Sequence, residues 1–140
     1  MEKLLLLPLL LLVMQLSAQS KNETAIRQSL NEQIACWNRG DLESFMKTYW
    51  QNDSLLFIGK SGITYGWKNT LKNYQKGYPD TAAMGKLSFT ILHTKRISAA
   101  YYHVTGKWHL QRSIGNLEGH FTLLFRKIKR KWLIVADHSS

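Results

Sequence analysis

One cysteine, two prolines and nine acidic residues stand in a chain of 140, and each scarcity removes a class of protein. A single thiol, Cys36, cannot form an intramolecular disulfide, so packing has to hold the fold together. Cys36 lies in a helical pattern with no base partner nearby and reads as a buried structural thiol. The five histidines lack the i, i+4 pairing and the clustered carboxylates of zinc sites, which sets a metal aside. A Gly-rich phosphate loop and a G-x-S-x-G nucleophile turn are also missing. Nucleotide and serine-hydrolase chemistry therefore drop out, and no cofactor is expected.

Acidic residues are outnumbered by 19 basic ones, for a net charge of +10. Such a balance favours anionic surfaces or ligands and says nothing about fold. Most cations are scattered, from Lys60 to Lys107, with one cluster at Arg126 to Lys131. That cluster falls at a hairpin between two apolar strands, where charge keeps a sheet edge from pairing with other chains. No nucleic-acid partner is expected.

Long apolar runs are missing too, except from Leu4 to Leu16. That run follows Lys3, precedes the small residues Ser17 and Ala18, and is shorter than the roughly 20 residues of a membrane span. This is the layout of a signal peptide over residues 1–18, cleaved after Ala18. It leaves a domain at residues 19–140 that is periplasmic or secreted, with no stable membrane insertion. No cysteine stands near the junction to accept a lipid.

Within residues 19–140 the length allows one hydrophobic core. Ile26, Leu30, Ile34 and Trp37 recur at helical spacing after Asn22, a candidate N-cap. Gly40 ends this helix, and Asp41 caps a second one carrying Leu42, Phe45, Met46 and Tyr49. A small hairpin follows, with Ser54 to Ile58 and Ile63 to Tyr65 flanking Gly59-Lys60-Ser61-Gly62. Trp67, Leu71 and Tyr74 mark a third helix reaching about Lys76. From Lys86 the period changes to two, giving four long strands in an antiparallel meander with one apolar face and one wet face. The class is α+β.

This order of elements resembles the nuclear transport factor 2-like (NTF2-like) superfamily, and more narrowly its SnoaL-like branch. The residues that carry the likeness are Ala35-Cys36-Trp37-Asn38-Arg39-Gly40-Asp41-Leu42-Glu43-Ser44-Phe45, Tyr49-Trp50 with Asp53-Ser54-Leu55, Gly66-Trp67, and the run Trp132 to Ser140. The resemblance implies a cone-shaped, curved antiparallel sheet wrapped around three N-terminal helices, with an apolar pocket inside. Family enzymes include ketosteroid isomerases, cyclases and dehydratases, while other members bind or dimerise, so fold alone assigns no function.

On that frame Asp53, after the second helix, is the candidate general base, since a pocket aspartate has that role in several family enzymes. An inner register of Trp132, Ile134, Ala136 and His138 would turn His138 into the pocket as a second candidate catalytic residue, a proton shuttle or hydrogen-bond donor, and Asp137 outward. His103, Lys107, His109 and His120 fall on the outer face. Tyr49, Trp50, Trp67 and Trp108 are the expected ligand contacts, because Tyr and Trp carry a polar tip into a cavity. The leading expectation is an exported protein that binds a small apolar or amphipathic molecule and forms a homodimer. The rivals are an isomerase-, cyclase- or dehydratase-type enzyme and a dimerising interaction module.

Overall fold

A computed structural model describes the backbone of residues 6–140 and the side chains of residues 21–140. The expected signal peptide at 1–18 lies outside the described side chains. Helix α1 (Leu6–Asn38) runs through Asn22, so this residue does not cap it. Asn22 Oδ1 instead accepts a hydrogen bond of 3.2 Å from Trp132 Nε1. The buried face of α1 is Ile26, Leu30, Gln33, Cys36 and Trp37, with Ile34 half-buried beside it. Gly40 takes φ +79°, the left-handed conformation that terminates a helix. Asp41 then caps α2 (Leu42–Met46) by accepting from Ser44 N at 2.9 Å.

The Trp37-Asn38 pair shows how that junction is tied to the rest. Trp37 Nε1 donates to Met84 O at 3.0 Å. The Asn38 side chain both donates to Leu87 O and accepts from Leu87 N, at 3.2 and 2.7 Å, gripping the start of a strand as another strand would.

β1 (Leu56–Gly59) and β2 (Gly62–Tyr65) form the small hairpin, and α3 (Trp67–Gly77) packs after it. One short helix went unread in the sequence, α4 (Thr81–Met84), capped by Asp80. The meander follows as β3 (Lys86–Arg96), β4 (Tyr101–Gln111), β5 (Leu117–Ile128) and β6 (Lys131–Ser139). All six strands lie in one open sheet in the order β2-β1-β6-β5-β4-β3. The meander is antiparallel, and β1 joins β6 in parallel. Among the described residues no helix is long and apolar enough to cross a membrane.

Two irregularities shape the sheet. The β3–β4 ladder shifts register between Ile91 and His93, and the β5–β6 ladder shifts between Leu124 and Phe125. In the second, Leu124 pairs with Ala136 while Phe125 pairs with Ile134, so Val135 is an extra residue. Such bulges bend a strand and reset which side chains face inward. The inner face carries Tyr102, Val104, Leu110, Phe121, Leu123, Phe125, Trp132 and Ile134, all buried against the helices. Gly106 is needed on this face, because a Cβ there would run into the ring of Phe121.

Candidate functional site

The bulge at Val135 overturns the register read from the sequence. With one residue inserted, inward positions along β6 run Trp132, Ile134, Asp137 and Ser139. Asp137 pairs with Leu123 and Ser139 with Phe121, both on the inner face. Asp137 is accordingly only 4% exposed, while His138 is exposed and pairs with outward-facing Thr122. The alternation of side chains along a strand is a local rule, and one extra residue reverses it for everything downstream.

Tyr49 meets this carboxyl from the other side. The helix expected to carry Tyr49 ends at Met46, and Tyr49 instead makes a parallel bridge with Ile134. Backbone bonds from Trp50 N to Ile134 O and from Ile134 N to Thr48 O, at 2.9 and 3.0 Å, hold it there. The Tyr49 hydroxyl donates to Asp137 Oδ2 at 2.7 Å, and the Ser139 hydroxyl donates to Oδ1 at 2.7 Å. Tyr74 of α3 lies within reach of Tyr49 and of the charge on Asp137.

These groups line one cavity of about 1160 Å³ between sheet and helices. Its walls are chiefly aromatic: Trp37, Phe45, Tyr49, Phe57, Tyr74, Tyr78, Phe89, Trp108 and Phe121. Rings of Trp37, Phe45, Phe57 and Tyr78 surround that of Tyr74 at centroid distances from 5.3 to 6.2 Å. Buried Gln33 adds a polar edge, donating to Thr48 Oγ1 at 2.7 Å. The rim carries exposed Lys60, Glu118 and His138.

Burial pushes the Asp137 carboxyl up to about 6, against the hydrogen bonds from Tyr49 and Ser139 and the charge of His138, which pull it down. Loss of water around a carboxylate disfavours its charged form, and the two hydroxyls restore only part of that hydration. Tyr49 and Tyr74 are held well above the ordinary phenol range, first by burial and then by the negative charge of Asp137. Both phenols therefore stay protonated, and that of Tyr49 donates to Asp137.

The residues singled out from the sequence divide around this cavity. Tyr49 and Trp108 line it, Trp108 with its Nε1 donating to Ser140 O at 3.2 Å. Trp50 and Trp67 do not; the Trp67 indole instead donates to Met46 O at 2.6 Å and pins α3 to the end of α2. Asp53 is exposed in the turn before β1 and is not part of the lining. It sits beside Gly66, which adopts φ +88°. His138 reaches the cavity only at its rim. The group that sequence reasoning placed on the wrong side is Asp137, and Tyr74 was left among general core aromatics. The signal for Asp137 was faint: Ala136, the inward residue of an unbroken register, is a weak wall for so large a core. Among the described residues no cluster of three or more His, Cys, Asp or Glu is arranged to hold a metal.

No protein-family model and no curated protein matches the sequence. Among solved structures, the chain is similar to an NTF2-like protein of unknown function from Shewanella oneidensis MR-1. The two share 43% identity over 85% of this chain and 98% of that one, with a TM-score of 0.82. The chain belongs to the NTF2-like family. An NTF2-like superfamily protein from Salmonella enterica serovar Typhimurium LT2 shares the fold at 18% identity, covering 87% of this chain and 92% of that one, with a TM-score of 0.69. A ketosteroid isomerase-like protein from Erwinia carotovora atroseptica does so at 16% identity, covering 84% and 93%, with a TM-score of 0.65. At these identities the last two speak for the NTF2-like cone and not for a shared reaction.

Proposed function

We propose that this NTF2-like protein binds a small amphipathic molecule inside the cone, its apolar body against the aromatic walls and its polar end at Asp137. One observation carries the reading: a carboxyl buried to 4% exposure opens onto a large aromatic cavity and is hydrogen-bonded by Tyr49 and Ser139. Mostly apolar cavities with a few convergent polar groups are what small-molecule sites look like. The proposal extends to the address and assembly: an exported domain, freed of residues 1–18, that pairs with a second copy.

A second reading has its own support. A carboxyl brought to about 6 is ionised at neutral pH yet remains basic enough to take a proton from an activated carbon of the ligand and return it elsewhere. In an isomerase of this kind Asp137, rather than Asp53, is the base, and the Tyr74 phenol is the donor to the developing negative charge.

Native mass spectrometry of protein purified from its natural source, compared with the denatured mass, tests the binding reading. A discrete extra mass is expected, and it should be lost or depleted in Trp108→Ala. A bare protein that also fails to take up any member of a broad metabolite extract would overturn the proposal. Conversion of the bound molecule on incubation, abolished in Asp137→Asn, would move the protein to the second reading.

A further inference from the structure

We propose that the cavity is selective for an organic cation, an apolar body bearing a tertiary or quaternary ammonium group held between the Asp137 carboxylate and the surrounding aromatic rings. This rests on the binding role proposed above and names its ligand class.

The arrangement around Asp137 fits the charged form of the carboxyl. Each of its oxygens accepts a hydrogen bond from a hydroxyl, Tyr49 on one and Ser139 on the other, both at 2.7 Å. Those donors are neutral, so they orient the carboxylate without cancelling its charge. Asp137 forms no ion pair within 4 Å among the described residues; the charge of its strand neighbour His138 acts on it without a direct contact. A buried carboxylate of this kind is costly unless a positive group joins it.

The walls supply the other half. Phe57 is the ladder neighbour of Asp137 on β1, and its ring lies 5.7 Å from that of Tyr74. Trp37, Tyr78 and Trp108 complete an aromatic enclosure open to the rim. Aromatic faces attract a cation within about 6 Å of their centroids, most strongly where water is excluded. An ammonium group here gains from the carboxylate and from the rings together, whereas a neutral ligand gains only apolar contact.

Other charges do not spoil the site. The groups facing Asp137 are Tyr49, Tyr74 of α3 and Ser139 of β6, while outward-pointing His138 acts on it by charge alone; Lys60 in the β1–β2 turn and Glu118 on β5 stand at the exposed rim as opposite charges. The net charge of +10 resides on exterior lysines and arginines, whose fields are screened beyond about 8 Å at physiological ionic strength. The upward displacement of the carboxyl to about 6 adds a sign. A cation favours the ionised form, so its affinity grows as pH rises through that value, while a neutral ligand that accepts a proton from the carboxyl would bind more weakly.

The test compares phenyltrimethylammonium with its uncharged isostere tert-butylbenzene on the full chain, followed by the change in tryptophan fluorescence from Trp37 and Trp108. At about pH 8 the cation should bind at least tenfold more tightly than the isostere, and its affinity should fall about tenfold at about pH 5 as Asp137 takes up its proton. Asp137→Asn should erase the preference and keep the binding of tert-butylbenzene. Should that variant not fold, the wild-type preference and its pH dependence decide the matter alone. Equal or tighter binding of tert-butylbenzene would overturn the cation assignment and leave the binding role standing. Failure of both probes to bind would also overturn the cation assignment, while the binding role itself stands or falls with the mass-spectrometric test.

Discussion

The two faces of the β3–β6 sheet treat ionisable groups in opposite ways. The outer face carries every one of the five histidines. His93 pairs with Thr105, His103 with Leu124, His109 with Glu118, His120 with Lys107 and His138 with Thr122, all outward positions. The inner face holds buried aliphatic and aromatic side chains and a single carboxyl, Asp137. A charge on the outer face keeps its water, so a pair formed there adds little to stability. On the inner face the same kind of group loses its water, which moves its proton affinity and gives it a reason to seek a partner. The buried carboxyl is on the dry side of the sheet, although most of the titratable residues are on the wet side.

The contrast is open to attack by substitution. Trp37→Ala, which removes a 3% exposed indole and its bond to Met84 O, should cost about 3–5 kcal/mol of folding stability by urea denaturation. A loss below about 1 kcal/mol would mean that the helix–sheet core is not the source of stability described above.

The second test concerns Asp137. Its folded-state value of about 6 lies above the ordinary 3.8, so the protonated carboxyl stabilises the fold. That contribution is complete below the ordinary value and is lost as pH rises through about 6. Between about pH 4 and pH 7 the wild type should therefore lose roughly 3 kcal/mol relative to Asp137→Asn. Equal slopes for the two proteins would show the carboxyl to be solvated. Tyr49→Phe should have a smaller effect, about 1–2 kcal/mol at neutral pH, through loss of the bond to Oδ2. It should also raise the titration midpoint of the Asp137 carboxyl carbon in an NMR experiment. Smallest of all, Asp53→Asn on the exposed turn should leave stability within about 0.5 kcal/mol and probe binding unchanged. A clear loss of probe binding would return Asp53 to the site.

Most of the architecture was legible in the chain. Helical spacing of Ile26, Leu30 and Trp37, the Gly40-Asp41 stop and cap, the Gly59 to Gly62 turn and the period-two run after Lys86 all correspond to observed elements. Each depends on a few neighbouring residues, which is the range over which sequence patterns act. The site was legible in part. Tyr49 and Trp108 line the cavity, since bulky amphipathic rings in a small domain have few other places to go. Trp50 and Asp53 do not, because the chain leaves the helical period at Met46, and Trp67 does not, because its indole is committed to Met46 O.

By itself the sequence determined the class of fold, the apolar inner face and the charge of the exterior. All of these follow from local periodicity and composition. Only the tertiary structure decided which carboxyl matters. Whether Asp137 or His138 faces inward turns on one extra residue at Val135. The accommodation of that residue depends on β5, joined to β6 by a tight turn, and on β1, remote in sequence yet hydrogen-bonded to the other edge of β6. Alternation is a property of a strand, but its phase belongs to the whole sheet.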